Sequence, residues 1–101
     1  ILFTSAQDSP TKGFWKGVGF DSNALTHELT YFTIEFAGGG DMTNVSGGGN
    51  LRMDSSSSLS LTNCNITDSG SYGIWRDSSS SSISETATNY ARNNSGAQNT
   101  P

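Results

Sequence analysis

Residues 72–84 read YGIWRDSSSSSIS, and residues 50–60 repeat the pattern more weakly as NLRMDSSSSLS. Aligned on Asp-Ser, the segments VGFDS (18–22), LRMDS (51–55) and IWRDS (74–78) each carry an aliphatic residue, two variable residues and the pair itself. Their spacings are 33 and 23. A second set follows in the same order: LTYFTIEFAG (29–38), LTNCNITDSG (61–70) and ATNYARNNSG (87–96) share an aliphatic start, a Thr in second place and a Gly in tenth, with spacings of 32 and 26. Two columns that advance together define an internal repeat. A repeat of about 20–35 residues made of short strands and turns predicts a β-solenoid.

Alternation within the segments supports strands. Phe32, Ile34 and Phe36 fall on one face, with Thr33 and Glu35 on the other. Cys64 and Ile66 match Phe32 and Ile34, which leaves Asn65 outside. Val18 and Phe20 match Leu51 and Met53, with Gly19 and Arg52 outward. No 3.6-residue period competes. The serine runs then fall where a coil turns its corner after the strand that ends in Asp21, Asp54 or Asp77, whose carboxylates can accept hydrogen bonds from turn amides. GGGDMTNVSGGG (38–49) is a Gly-rich loop that accounts for the wider first spacing.

The segments FTSAQDSPTKGFWKGVGFDS (3–22), LTYFTIEFAGG (29–39) and LTNCNITDSGSYGIW (61–75) resemble right-handed parallel β-helix repeats of the pectate-lyase-like superfamily, found in large secreted and surface proteins of bacteria. The resemblance implies an all-β fold, a right-handed parallel β-helix of three to four coils. Residues 1–101 would form a single module, with a flexible tail at 97–101. The fold hosts lyases, hydrolases, adhesins and passive stalks, so the resemblance alone selects no reaction.

Composition narrows the classes. Charged residues are 14% of the chain, against roughly 25% in ordinary domains. Ser, Thr, Asn and Gly supply 50 of the 101 residues, a balance that suits turns and strands. Five scattered basic residues give no footprint for nucleic acid. No apolar run approaches the ~20 residues of a membrane-spanning helix, so membrane insertion is not expected. The single Cys64 excludes an internal disulfide and offers no metal-ligand spacing. The polar, weakly charged balance favours an extracellular or cell-surface address.

Stacked on successive coils, Asp21, Asp54 and Asp77 would sit about 5 Å apart. The repulsion of each neighbouring pair in water is only about 0.8 kcal/mol, so no cation is required. A Ca²⁺ site would need six to eight oxygens, and turn-capping is the simpler role, so no cofactor or metal is expected. Lyases of the resembled fold use an acidic calcium cluster and a basic proton acceptor, but Arg52, Arg76, Arg92, Lys12 and Lys16 match no lyase motif. No catalytic residue is therefore assigned.

Trp75, with Tyr72 near it and Trp15 on an earlier coil, could stack on a sugar or a protein partner; the competing role is shielding of their own coil. Asn65, Asn44 and Asn93 open the three sequons and are candidate glycosylation sites. Thr30, Thr62 and Thr88 form a single file, whereas an ice-binding face needs a two-dimensional array. His27 is placed in a corner loop and Cys64 in a core slot.

Three to four coils bury little core without caps, and no amphipathic helix is visible to cover either end. Uncapped ends predict that further β-helix coils, or identical copies stacked end to end, complete the structure. The expected function is thus an extracellular structural module: a stalk, a scaffold or a head-to-tail fibre subunit at a bacterial surface. The alternative is a fragment of a carbohydrate-active, polysaccharide lyase-like or sugar-binding protein.

Overall fold

Alternating runs too short for helices, bounded by Ser, Asn and Gly, become strands and little else. The computed structural model describes residues 1–20, 26–40, 48–54, 57–77 and 81–100, and among these it contains no helix. The strands are β1 (Leu2–Phe3), β2 (Val18–Phe20), β3 (Thr26–Thr30), β4 (Thr33–Glu35), β5 (Gly49–Met53), β6 (Ser58–Thr62), β7 (Asn65–Thr67), β8 (Tyr72–Arg76), β9 (Ser82–Thr86), β10 (Asn89–Ala91) and β11 (Gly96–Gln98). They form three sheets, ordered β1-β4-β7-β10, β2-β5-β8-β11 and β3-β6-β9, and every pairing is parallel. Pairing partners lie three strands apart in sequence. The chain therefore visits the sheets in rotation and returns to each one strand further along.

Register places like residues over one another. Val18, Leu51 and Ile74 align, as do Phe20 and Met53. Phe3, Ile34 and Ile66 make a second column, and Leu29 and Leu61 a third. Phe32, Ile34, Leu51, Met53, Leu59, Leu61, Cys64, Ile66 and Ile74 form one buried cluster between the sheets. Fully burying a side chain of this kind is worth about 1.5–3 kcal/mol relative to exposure, so these columns dominate the stability of the fold.

Corners are regular too. Tyr31, Asn63 and Ala87 each directly follow a strand of the β3-β6-β9 sheet, and all three adopt left-handed backbone (φ 52°, 53° and 51°). Phe36, Asp68 and Arg92 do the same after β4, β7 and β10 (φ 63°, 55° and 56°). Each such residue turns the chain sharply from one sheet towards the next. Asn and Asp tolerate this conformation best; Tyr, Phe, Ala and Arg are held there by the neighbouring layers. Beyond the second corner the backbones approach closely: a Cβ on Gly70 would lie 2.9 Å from the Gly13 Cα, and one on Gly39 2.3 Å from the Gly13 carbonyl oxygen.

Several expectations change. The third copy of the second segment is displaced by two residues: Thr62 pairs with Thr86 and Asn65 with Asn89, so ETATNYARNN (85–94), not ATNYARNNSG, overlies LTNCNITDSG. A slip of two preserves the in–out alternation, which is why side-chain pattern did not expose it. The file of threonines is accordingly Thr30, Thr62 and Thr86. His27 lies in β3 rather than in a loop, aligned with Leu59 and packed on the Phe20 ring at 4.7 Å. Phe36 is only partly buried, because its left-handed backbone ends the alternation. Gly49 belongs to β5 and not to the Gly-rich loop.

The flexible tail expected at 97–101 is instead strand through Gln98, which pairs with Ile74. The Asn99 amide then bonds both ways to the Arg76 backbone, accepting from its N–H at 2.6 Å and donating to its carbonyl at 2.8 Å. Asp21, Asn44, Ser55, Ser56 and residues 78–80 lie outside the described residues.

Candidate functional site

On the outer face of the β2-β5-β8-β11 sheet, Arg52 and Trp75 are register partners. The Arg52 guanidinium carbon sits 5.7 Å from the centroid of the Trp75 ring, in cation–π range. Arg52 was expected to face solvent, yet it is only 1% exposed. Its guanidinium is buried along with its aliphatic stem rather than held out in water. Trp75 is half-buried by the same contact.

Trp15 lies on the connection between β1 and β2. Its indole Nε1 donates to the Glu35 carbonyl at 3.0 Å, and its ring packs against the core cluster. Tyr72 is half-buried at the start of β8, aligned with Gly49 and Gly96. Among the described residues no ring contact joins Trp15, Tyr72 and Trp75, so they do not form one stacking platform. Each indole already has a partner within the fold.

Of the three sequon asparagines, Asn65 is exposed on β7. Asn93 is engaged: its Oδ1 accepts from the Ser69 N–H at 2.9 Å and its Nδ2 donates to the Ile66 carbonyl at 3.0 Å. Asn50, which sequence reading did not single out, is the strongest polar pin. It is fully buried, its Oδ1 accepts from the Ala37 N–H at 2.9 Å, and its Nδ2 donates to the carbonyls of Ile34 (3.2 Å) and Thr67 (2.7 Å). One side chain thereby ties the corners that follow β4 and β7.

Of the acidic column, Asp54 and Asp77 continue the backbone ladder, the Asp54 N–H donating to the Phe20 carbonyl at 3.0 Å and the Asp77 N–H to the Met53 carbonyl at 2.9 Å, while Asp21 lies outside the described residues. Loss of hydration, then the neighbouring Asp54 carboxylate, raise the Asp77 carboxyl above its ordinary value. Asp68 is opposite in sense. Arg92 grips it with two bonds of 2.8 and 2.9 Å and holds its carboxyl below the usual range, against a smaller opposing effect of burial. Among the described residues no three His, Cys, Asp or Glu side chains are grouped to hold a metal ion. Cys64 is buried in its core slot, its thiol directed at the Leu29 carbonyl at 3.4 Å.

At the C-terminal end the columns change character. Above Met53 stands Arg76, above Leu61 stands Glu85, above Ile66 stands Tyr90, and above Ile74 stands Gln98. Tyr90 donates its hydroxyl proton to Glu85, and the Gln98 amide donates to Glu85 Oε1 at 2.7 Å and to the Tyr90 oxygen at 3.1 Å. Burial, then the bond to Glu85, raise the Tyr90 phenol well above its ordinary value, so it stays a donor. Beside it an open depression of about 210 Å³ is lined by Tyr90, Ala91, Arg92, Asn93, Gly96 and Ala97. At this end the inward positions following Ile83 are polar where the layer beneath is apolar. The signal for this change was present in ISETATNYARNNSGAQ (83–98), whose inward positions turn polar once the register is set.

No family model matches the chain, and no curated protein and no solved structure is significantly similar to it.

Proposed function

We propose that this chain is a short right-handed parallel β-helix of the pectate-lyase-like kind, and that it serves as an extracellular structural module at a bacterial surface, a stalk or scaffold segment. The observation that carries the reading is the rotation of the chain through three parallel sheets with apolar columns in register. Almost every distinctive side chain is spent on that stacking: Asn50 and Asn93 on corners, Arg52 and Trp75 on each other, Asp68 on Arg92. Many outer strand positions are short hydroxyl and amide residues, as at Ser58, Ser60, Asn65, Ser82 and Ser84. Such a surface stays hydrated with little charge.

Within this reading, a scaffold segment fits better than a head-to-tail fibre subunit, because the polar Glu85, Tyr90 and Gln98 make a poor seat for the apolar residues Phe3, Val18 and Leu29 of a second copy. Two measurements test the proposal. Protease treatment of intact source cells, followed by detection with an antibody to the chain, should remove the signal; full protection would overturn the surface location. Incubation with a panel of acidic polysaccharides and Ca²⁺ should release no unsaturated sugars, and release would move the chain to the lyase-fragment alternative.

A further inference from the structure

We propose that Glu85, Tyr90 and Gln98 form a polar stop that closes the C-terminal face of the stack to further β-strands, including those of another copy of this chain. The inference rests on the layered reading of the fold and not on where the protein works. One residue of the trio comes from each sheet: Glu85 from β9, Tyr90 from β10 and Gln98 from β11. Each stands on an apolar column, over Leu61, Ile66 and Ile74 respectively. Chain segments separated by up to 13 residues thus converge on a single hydrogen-bonded group above the core.

Three hydrogen bonds link the trio. The Gln98 amide uses its N–H groups on Glu85 and on the Tyr90 oxygen, the Tyr90 hydroxyl gives its proton to Glu85, and the carboxylate only accepts. The group meets water through the exposed Glu85, with Tyr90 packed down on the core beneath. A second copy stacked here would strip water from the carboxylate and set the apolar Phe3, Val18 and Leu29 against the trio, which is strongly unfavourable. Inward-pointing charge is also a known means of protecting a sheet edge from pairing. Arg76 strengthens the pattern: it ends the Phe20–Met53 column, and its guanidinium folds back to donate to the Ser81 carbonyl at 3.0 Å.

The opposite face differs at the same three columns. There these three columns end in Phe3, Val18 and Leu29, whereas the Leu59 column ends in His27 on this face and in Ile83 on the other; Ile1, Leu2 and Phe3 are 80%, 60% and 41% exposed. The two ends of one stack therefore differ in kind, and the difference is made by side chains at matched positions.

Hydrogen exchange measured by mass spectrometry at low and high protein concentration tests the stop. In the wild-type chain, amides of β9, β10 and β11 should exchange at rates independent of concentration. The variant E85L/Y90I/Q98I carries the residues of the layer below at the same positions; its β9–β11 amides should slow several-fold on concentration, with larger species in sedimentation. Concentration-dependent slowing of β9–β11 in the wild type would overturn the proposal, as would a folded triple variant without it. Y90F gives a reading that does not depend on the triple variant folding: loss of the central hydroxyl should speed exchange several-fold in β9–β11 while β5 and β8 stay slow. Unchanged β9–β11 rates in Y90F would overturn the stop alone. Fast exchange in wild-type β5 and β8 would overturn the layered fold and the stop with it.

Discussion

The Arg52 guanidinium lies 5.7 Å from the Trp75 ring centroid, on adjacent strands of one sheet and in direct register. The two side chains pack together on the outer face of that sheet. Removing the indole should therefore cost stability before it costs anything else. Trp75→Ala is expected to lower the free energy of unfolding by about 2 kcal/mol, combining a cation–π contact with lost ring burial. Trp75→Phe should lose about half as much. Urea unfolding followed by circular dichroism measures both; an unchanged midpoint for Trp75→Ala would remove Trp75 from the fold's support and return it to the pool of contact residues.

Asn50 makes a sharper case because one buried side chain serves three backbone groups. Asn50→Ala leaves the Ala37 N–H and the Ile34 and Thr67 carbonyls without that partner in a buried corner. A loss of about 3 kcal/mol is expected. Asn50→Asp keeps the acceptor but faces two carbonyl oxygens with a carboxylate, so it should be worse than alanine at pH 7. The order of the two denaturation midpoints is the readout.

Left-handed backbone at Ala87 (φ 51°) gives a stabilising change. An L-residue is penalised there by about 1–2 kcal/mol, while glycine costs about 0.5–1 kcal/mol in chain entropy. Ala87→Gly should therefore gain about 0.5 kcal/mol. Ala91→Gly, in the extended strand β10, should lose a similar amount. Thermal melts of the two variants should move in opposite directions.

Acid should loosen the corner held by Asp68 and Arg92. Because the Asp68 carboxyl titrates lower in the folded chain than in the unfolded one, its contribution is complete above the unfolded value of about 3.9 and disappears as pH falls through the lower folded value. Arg92→Gln removes the main cause, so acid unfolding should begin at a higher pH. At neutral pH the change should be small, since Arg92 is mostly in water. A pH titration of intrinsic Trp fluorescence follows it.

Asp77 runs the other way. Its carboxyl holds a proton more tightly in the folded chain than in the unfolded one, so stability falls as pH rises through that raised value. Asp77→Asn should remove this slope and make the chain slightly more stable than wild type at pH 7, with the difference vanishing below about pH 4. Unfolding midpoints at the two pH values decide it.

Much of this was readable in the chain because parallel stacking repeats the same demand at the same place. Val18, Leu51 and Ile74 were visible as one column, and so were Phe32 with Cys64 and Ile34 with Ile66. Legibility stopped where the demand itself changed. Glu85 and Gln98 occupy apolar columns, so a search for aliphatic starts passed over Glu85 and settled on Ala87, two residues late. Arg52 was assigned to solvent because alternation says which face a side chain takes and not what lies on that face. The left-handed corners were hidden for a further reason: Tyr31, Phe36 and Arg92 are not residues whose intrinsic preference announces that conformation. Neighbouring layers impose it.

The junction between β4 and β5 spans residues 36–48, whereas the one between β7 and β8 spans only 68–71, and pairing resumes in step after both. That corner is consequently a seam at which the polypeptide can be lengthened without re-threading the molecule. Foreign peptides spliced between positions 40 and 48 should be carried as passengers, which makes the chain a natural mount for displaying epitopes.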